Sequence, residues 1–255
     1  MYDYHVHSNY SDGSFLERMV AAAADTALDG VGVADHCNVS DREHCRRYRR
    51  RFGFNLDRTY ERRRDAIAEL DAEHDLAVLD GVEMDYHPDD EAAIREFLAD
   101  AGFDYVIGSV HELRETNVHM DYFAALSERE RRDAVEEYFE RVVGLVESGL
   151  FDVLAHADIV ERNPALRGYA TEDHYHAVAG ALADSETVPE INAGRVDREY
   201  GQFHPNDAFL TVLAEYDVPV TVGSDAHEPG RLRGRVPLLR EKLAGLDVEV
   251  VSPID

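Results

Sequence analysis

The feature that most constrains the fold of this chain is a repeated alternation of short apolar runs with longer, charged, helix-periodic segments. This alternation is typical of parallel strands that are joined by helices. A further run near the C-terminus, VEVV, is too short and too late to assign. We therefore predict an α/β barrel with seven strands, formed as a single domain by residues 1–255. The seven strand runs are YDYHV (2–6), VGVAD (31–35), LAVLDGVEM (76–84), YVIGSV (105–110), FDVLAH (151–156), VPEIN (188–192) and VPVTVGS (218–224).

Helices are predicted between these runs. Residues 15–28, the arginine-rich stretch 41–74 and the segment that starts at Ser127 all show helical periodicity. Ser14 is followed three residues later by Glu17, and this spacing predicts a capping box at the start of the first helix.

Polar residues stand where the predicted strands end. His5 and His7 alternate along the first run, so a strand would point both imidazoles to the same face. In barrels of alternating strands and helices, the residues that perform chemistry lie at the carboxyl ends of the strands. We expect one cluster there, formed by His5, His7, Asp12, His36, Glu83, His111, His156, Asp225 and His227.

Imidazole nitrogens and carboxylate oxygens are the ligands of zinc, manganese and iron sites. Each ion takes about three to five protein ligands, so nine ligands suit two or three divalent ions. Taken singly, some members have another explanation: Glu83 suits a salt bridge at the rim, and Asp12 suits a turn beside Gly13. The repetition of the pattern at six strand ends favours a metal centre.

The charge balance limits the partners of this chain. It has 53 acidic and 26 basic residues, a formal net charge of −27, and Lys242 as its only lysine. Such a field repels phosphate backbones and anionic lipids, which predicts no long nucleic acid partner and no membrane partner. Salt shortens the reach of self-repulsion, so we predict a halophilic source.

The sequence also predicts a cytoplasmic protein. It has neither a signal-peptide pattern nor an apolar stretch long enough to span a bilayer. Cys37 and Cys45 are too few for a disulfide scaffold.

Two arginines and one further histidine are candidates for contacting a substrate beside this cluster. Arg162 and Arg195 lie just past predicted strand ends, and guanidinium groups bind phosphate in a bidentate manner, although either could equally be a solvated arginine. His204 is predicted to be a proton donor or a substrate contact. The remaining histidines are interpreted as surface residues, namely His44, His74, His87, His119, His174 and His176.

The motifs HVHSNYSDG, ADH, the Glu83 strand, GSVH, AHAD and SDAH resemble, in order and across nearly the whole chain, those of the PHP (polymerase and histidinol phosphatase) family. The resemblance implies a distorted (β/α)7 TIM-like barrel in which the nine clustered residues bind two or three metal ions. It also implies hydrolysis of a phosphomonoester by a metal-bridging hydroxide that attacks phosphorus. Chain length and the EINAG segment are most similar to stand-alone histidinol-phosphate phosphatases, which implies a role in histidine biosynthesis.

Three alternatives stay open. Within the PHP family, the substrate could be a nucleoside monophosphate or a short oligonucleotide end. The amidohydrolases also begin their barrel with His-x-His, but many need a carboxylated lysine on a central strand, and Lys242 lies far downstream in a predicted helix. A metal-binding scaffold without catalysis would be expected to have a gap in the ligand set, and the sequence has none.

Overall fold

The strands of the computed structural model, which describes residues 1–254, follow the predicted alternation. All seven predicted runs form strands, and two short strands, β5 and β6, are added between the fourth and fifth runs. The strands of the described chain are β1 (Tyr2–Val6), β2 (Gly30–Cys37), β3 (Ala77–Asp85), β4 (Tyr105–Ser109), β5 (Glu112–Leu113), β6 (Thr116–Asn117), β7 (Val153–Leu154), β8 (Val188–Asn192) and β9 (Thr221–Gly223).

Seven of these strands form one parallel sheet, in the order β1-β2-β3-β4-β7-β8-β9. The chain after β9 returns to β1, where His7 N donates to Ala226 O at 3.0 Å and Asp225 N donates to His5 O at 2.7 Å. The sheet is therefore a nearly closed barrel, and the prediction of a distorted seven-stranded α/β barrel is confirmed. The unassigned VEVV run contributes only an isolated bridge from Val250 to the β9 edge.

Helices connect the strands and surround the barrel. The predicted helical stretch 41–74 divides into α2 and α3, which are joined by a 3₁₀ turn at Leu56–Arg58. No helix within residues 1–254 combines the length and the apolar character that a membrane crossing requires. The helices are α1 (Leu16–Ala24), α2 (Glu43–Phe52), α3 (Tyr60–Glu73), α4 (Glu91–Ala101), α5 (Glu128–Glu147), α6 (Glu172–Ala183), α7 (Asp207–Glu215) and α8 (Pro229–Ala244).

The predicted capping box at Ser14 and Glu17 is wrong. Phe15 occupies the N-cap position of α1 without a side-chain cap. The amide of Leu16 donates instead to Asn9 Oδ1 at 2.8 Å. The loop after β1 thus satisfies an orphan amide of α1 from seven residues upstream, a contact that the i, i+3 spacing does not predict.

Apolar side chains fill the amino-terminal half of the barrel. Tyr4, Tyr105, Ile107 and Val153 belong to one buried cluster there. A Cβ atom at Gly32 would lie 1.9 Å from Tyr105 Oη, so this close approach of ring and backbone requires glycine. Burial of such side chains stabilises the fold by about 1.5–3 kcal/mol each. Because apolar side chains occupy this half, the polar cluster is confined to the carboxyl ends of the strands.

Candidate metal centre and arginine-lined cleft

His5 in β1 and His7, one residue past its end, face each other inside the barrel. The pairing of β1 with β2 shifts register between Asp3 and Val6, and such irregularities re-aim side chains. His5 Nε2 and His7 Nε2 lie 3.1 Å apart, and both imidazoles are fully buried. Two nitrogens that can each carry a lone pair therefore point at one small space.

Glu83 lies at the centre of the polar cluster. The register of β2 against β3 places His36 directly beside it, and His36 Nδ1 is 2.7 Å from Glu83 Oε2. On the other side, Glu83 Oε1 lies 3.0 Å from His156 Nε2 and 3.4 Å from His111 Nε2. One buried carboxylate thus joins imidazoles from three different strand ends.

Asp12 and Asp225 complete the cluster towards solvent. Asp12 Oδ1 is 3.2 Å from His227 Nε2 and 3.7 Å from His36 Nε2. Asp225 Oδ1 is 3.6 Å from His7 Nε2. The structure therefore brings all nine candidate ligands together, and eight of them fall into three groups whose ligand atoms all lie within 4.8 Å of one another: His7, Asp12, His36 and His227; His5, His7 and Asp225; and His36, Glu83 and His111.

Two of these residues have an unusual backbone conformation. His156 and Asp225 have φ angles of +26° and +51°. Non-glycine residues adopt positive φ only rarely, and such strain concentrates at functional sites. The two turns direct these side chains into the centre at a local cost in free energy.

The protonation states of the cluster reflect its dense negative charge. Burial opposes a charged His36 ring, but Glu83, Asp12 and Asp85 outweigh burial and raise the pKa of His36 to about 10. Burial also opposes ionised Glu83, yet its pKa is held well below the usual range by His36, His5 and His111. Here protons on imidazoles balance the carboxylates, and divalent cations would balance them in the same way.

Buried polar atoms without partners show that the cluster fits metal ions. Within the described residues, Glu83 Oε2, His7 Nδ1 and His156 Nδ1 have no hydrogen-bond partner. The 2.7 Å contact of Glu83 with His36 is not aligned as a hydrogen bond. Each buried unsatisfied group costs about 1–3 kcal/mol. Because the donors are imidazole nitrogens and carboxylate oxygens, the set suits zinc, manganese or iron.

Two supporting carboxylates were missed by sequence reasoning. Glu190 Oε2 lies 2.9 Å from His5 Nδ1, and Asp85 Oδ1 lies 2.7 Å from His111 Nδ1. Such carboxylates fix the tautomer and orientation of a ligating imidazole. A signal for Glu190 was present, because it alternates with Asn192 along β8 and both therefore face the interior.

Arg162 and Arg195, which are the predicted contacts of the phosphate group, both line a cleft above the polar cluster. This cleft has a volume of about 740 Å³. Arg162 Nη2 lies 3.2 Å from Asp225 Oδ2. Burial and the neighbouring charge of Arg162 lower the pKa of Arg195 to about 10. Crowded guanidinium groups next to a candidate metal centre are suited to an anion, and contact with phosphate stays a prediction.

His204 is oriented towards Arg162. Arg162 Nε donates to His204 Nε2 at 2.9 Å, and His204 Nδ1 lies 2.5 Å from Asp158 Oδ1. Because a guanidinium can only donate, His204 Nε2 accepts, and the imidazole proton lies on Nδ1. His204 is fully buried and is not among the residues that line the cleft, and proton donation by His204 stays a prediction.

The other histidines differ in exposure. His119 is exposed in the cleft, as predicted for a surface residue. His174 is partly covered, with a side chain that is 13% exposed, because it stacks on Phe139 and contacts Glu136. His44 is also largely covered and lies 2.9 Å from Glu112.

A second cavity, of about 670 Å³, lies at the amino-terminal ends of the strands. Its lining is mostly apolar and includes Tyr2, Tyr4, Leu79 and Leu243. The lining residues described there include no His, Cys or carboxylate side chain. The cleft at the carboxyl ends is therefore the candidate site for chemistry.

Comparison with protein families matches residues 3–193 to the PHP domain. The matched range contains seven of the nine candidate ligands, and Asp225 and His227 lie beyond it.

Comparison with curated proteins finds relatives named as phosphatases. The chain is 29% identical over 219 residues to a probable histidinol-phosphatase from Deinococcus radiodurans, a match that covers 83% of this chain and 79% of that protein. It is 24% identical over 237 residues to a histidinol-phosphatase from Lactococcus lactis, which covers 88% and 83% of the two chains.

Comparison with solved structures supports the barrel. The histidinol phosphate phosphatase of Lactococcus lactis, crystallised with zinc, L-histidinol and phosphate, superposes with a TM-score of 0.76 at 22% identity, covering 100% of this chain and 96% of that chain. A putative histidinol phosphatase from Listeria monocytogenes also gives 0.76, at 17% identity, with coverage of 91% and 97%. At these identities the likeness establishes the fold.

Proposed function

The chain belongs to the PHP domain family of metal-dependent phosphoesterases, and from that premise we propose that it hydrolyses a phosphomonoester, with histidinol phosphate as its substrate. The observation that carries the proposal is the meeting of nine candidate metal ligands, seven of which line one cleft together with Arg162 and Arg195. The names of the relatives support the choice of substrate.

Different side chains of the cleft would bind the metal ions and the phosphate group. The nine clustered residues would hold the ions, and Glu83 contacts His36, which belongs to two of the three groups of candidate ligands. Bound divalent ions would supply Lewis-acid polarisation of phosphate oxygens and a lowered pKa of water. Arg162 and Arg195 would bind phosphate oxygens from the β7 and β8 side and orient the ester.

The cleft also suits the positive end of an amino-alcohol phosphate. Asp85, at the end of β3, and Glu115, in the β5–β6 turn, line the cleft on the side from which β3 and β4 emerge. Of the arginines that line the cleft, Arg162 and Arg195 follow β7 and β8, and Arg49 lies in α2. A substrate that carries phosphate at one end and an ammonium group at the other matches the separation of Asp85 and Glu115 from Arg162 and Arg195.

A substrate panel tests the proposal. The purified chain would be loaded separately with zinc, manganese and iron and assayed against histidinol phosphate, nucleoside monophosphates and an aryl phosphate. We expect the highest kcat/KM for histidinol phosphate. Higher values for the nucleotides would overturn the substrate, and no turnover by a fully loaded protein would overturn the enzymatic assignment.

One observation favours the second candidate substrate, a nucleoside monophosphate or short oligonucleotide end. Tyr48, Phe52 and Phe54 line the cleft, and the side chains of Tyr48 and Phe52 are about half exposed. Exposed aromatic rings are stacking surfaces for nucleobases, although they would also accept an imidazole ring. The nucleotides in the panel decide between the two.

A further inference from the structure

A second cluster of metal-ligand side chains lies outside the nine-residue centre, at the rim of the cleft. It consists of His44 and Cys45 in α2 and Glu112 in β5, and we call it the rim cluster. His44 Nε2 lies 2.9 Å from Glu112 Oε2 and 3.2 Å from Cys45 Sγ, and Cys45 Sγ lies 3.6 Å from Glu112 Oε2. The proposed hydrolysis uses none of these three side chains.

The spacing of the three donor atoms is close to that of a tetrahedral zinc site. Zinc bonds of about 2.0–2.3 Å in tetrahedral geometry place donor atoms roughly 3.4–3.6 Å apart. The distance between Cys45 Sγ and Glu112 Oε2 already agrees. The two distances to His44 need to open by roughly 0.2–0.5 Å, which small side-chain rotations allow.

The chemistry of the donors favours zinc over harder ions. Thiolate is a soft ligand that selects zinc, whereas magnesium, calcium and manganese prefer oxygen. A Cys45 thiolate and the Glu112 carboxylate together balance the charge of one divalent ion. The backbone supports the arrangement, because β5 is held by its pairing with β6 and Arg141 donates to the carbonyl oxygen of Glu112 at 2.8 Å.

Two features of the rim cluster oppose the binding of a metal ion, but neither prevents it. Arg42 Nη1 lies 3.8 Å from Glu112 Oε2, but Arg42 Nη2 is already paired with Asp90 at 3.2 Å. Burial and Glu112 raise the pKa of the Cys45 thiol to about 11. An ion must therefore displace the thiol proton, and affinity should rise with pH.

We propose that His44, Cys45 and Glu112 bind a zinc-type divalent ion that clamps α2 to the β5–β6 hairpin, with water as the fourth ligand. The clamp acts on the wall of the cleft, because α2 also carries Tyr48, Arg49 and Phe52, which line it. The proposal is independent of the phosphatase substrate. It predicts one more zinc per chain than the nine-residue centre binds.

Elemental analysis of zinc-loaded, full-length protein tests the site. We expect Cys45→Ala to bind one zinc fewer per chain than wild type. Cys37→Ala is the matched control, because Cys37 is the other cysteine and is buried away from the rim cluster. With cobalt in place of zinc, a thiolate-to-metal absorption band should disappear in Cys45→Ala and persist in Glu83→Gln. Equal zinc content in both cysteine variants, with no thiolate band in wild type, would overturn the proposal.

Trypsin provides a readout of the clamp itself. Arginines at positions 46, 47, 49, 50 and 51 make α2 a dense tryptic target. Zinc should slow cleavage in α2 several-fold in wild type and Cys37→Ala, but not in Cys45→Ala. His44→Gln serves as a second variant if Cys45→Ala does not fold. The same effect of zinc on all variants would show that zinc acts on trypsin or elsewhere on the chain, and would count against the clamp.

Discussion

At the scale of single residues, Glu83 is the side chain on which the centre depends most. Its carboxylate is fully buried, and a buried charge is tolerated only when opposite charges or metal ions surround it. Its oxygens lie within 3.6 Å of ring nitrogens of five histidines from four separate parts of the chain: His5, His7, His36, His111 and His156.

Glu83→Gln should remove bound metal and reduce kcat/KM by about 100-fold or more, because it deletes the central charge while keeping the shape. Elemental analysis and steady-state kinetics measure both effects. Glu96→Gln is the matched control, since Glu96 is exposed on α4. Full metal content and activity in Glu83→Gln would contradict the proposed centre.

Arg162→Lys should lower kcat/KM by about 100-fold and leave metal content unchanged, because lysine cannot reproduce the planar, two-pronged contact with phosphate. The loss should also appear as weaker inhibition by inorganic phosphate. Arg129→Lys is the control, because the side chain of Arg129 is 91% exposed on α5 and does not line the cleft. Unchanged phosphate inhibition in Arg162→Lys would remove this residue from the phosphate site.

At the scale of elements, a buried ion pair joins α3 to the loop that carries Asp12. Arg63, in α3, donates to Asp35 at 3.0 Å and to Asp80 at 2.7 Å. Asp35 in turn accepts from the amide and hydroxyl of Ser8 at 2.7 and 2.6 Å. The sequence predicted α3 only as part of one arginine-rich helical stretch, 41–74, and did not predict this contact, because burial of one arginine depends on strands β2 and β3.

Arg63→Met should destabilise the fold by about 3–5 kcal/mol, because it leaves the buried carboxylate of Asp35 without a cationic partner, whereas Asp80 keeps its contact with Arg64 at 2.7 Å. Denaturant unfolding measures the change. Arg62→Met, at the exposed neighbouring position, should change the free energy of unfolding by no more than about 0.5 kcal/mol. Similar values for the two variants would show that the buried pair contributes little.

Sequence patterns predicted the strands better than the connections. Each strand of the barrel has an apolar run that is visible locally, whereas β5 and β6 have two residues each and no periodicity to detect. The capping box predicted from Ser14 and Glu17 was wrong for the opposite reason. The local pattern was present, but the amide of Leu16 donates to Asn9, which lies in another part of the loop.

At the scale of the whole molecule, charge is distributed unevenly. Residues 41–64 contain ten arginines and four acidic residues, a net charge of +6 in a chain of net charge −27. Part of this segment lines the cleft, including Arg49. The positive segment would attract an anionic substrate to an otherwise repulsive molecule, and salt should weaken this attraction.

Raising KCl from ~0.1 M to ~1 M, which shortens the Debye length from about 10 to about 3 Å, should stabilise the protein by screening its self-repulsion. We expect the thermal midpoint to rise by at least ~4 °C, as about 1–2 kcal/mol would produce in a domain of this size. Differential scanning calorimetry measures the shift. Equal midpoints at both salt concentrations would contradict the predicted halophilic character.

The sequence by itself determined the order of strands and helices and the residues at the strand ends, because both follow from local periodicity and from the geometry of parallel barrels. Only the tertiary structure decided which donors face one another. Closure of the sheet joins His5 to Asp225, the register of β2 against β3 joins His36 to Glu83, and a helix packed on a hairpin forms the rim cluster. These contacts depend on chain segments far apart in sequence, whose relative positions no local pattern encodes.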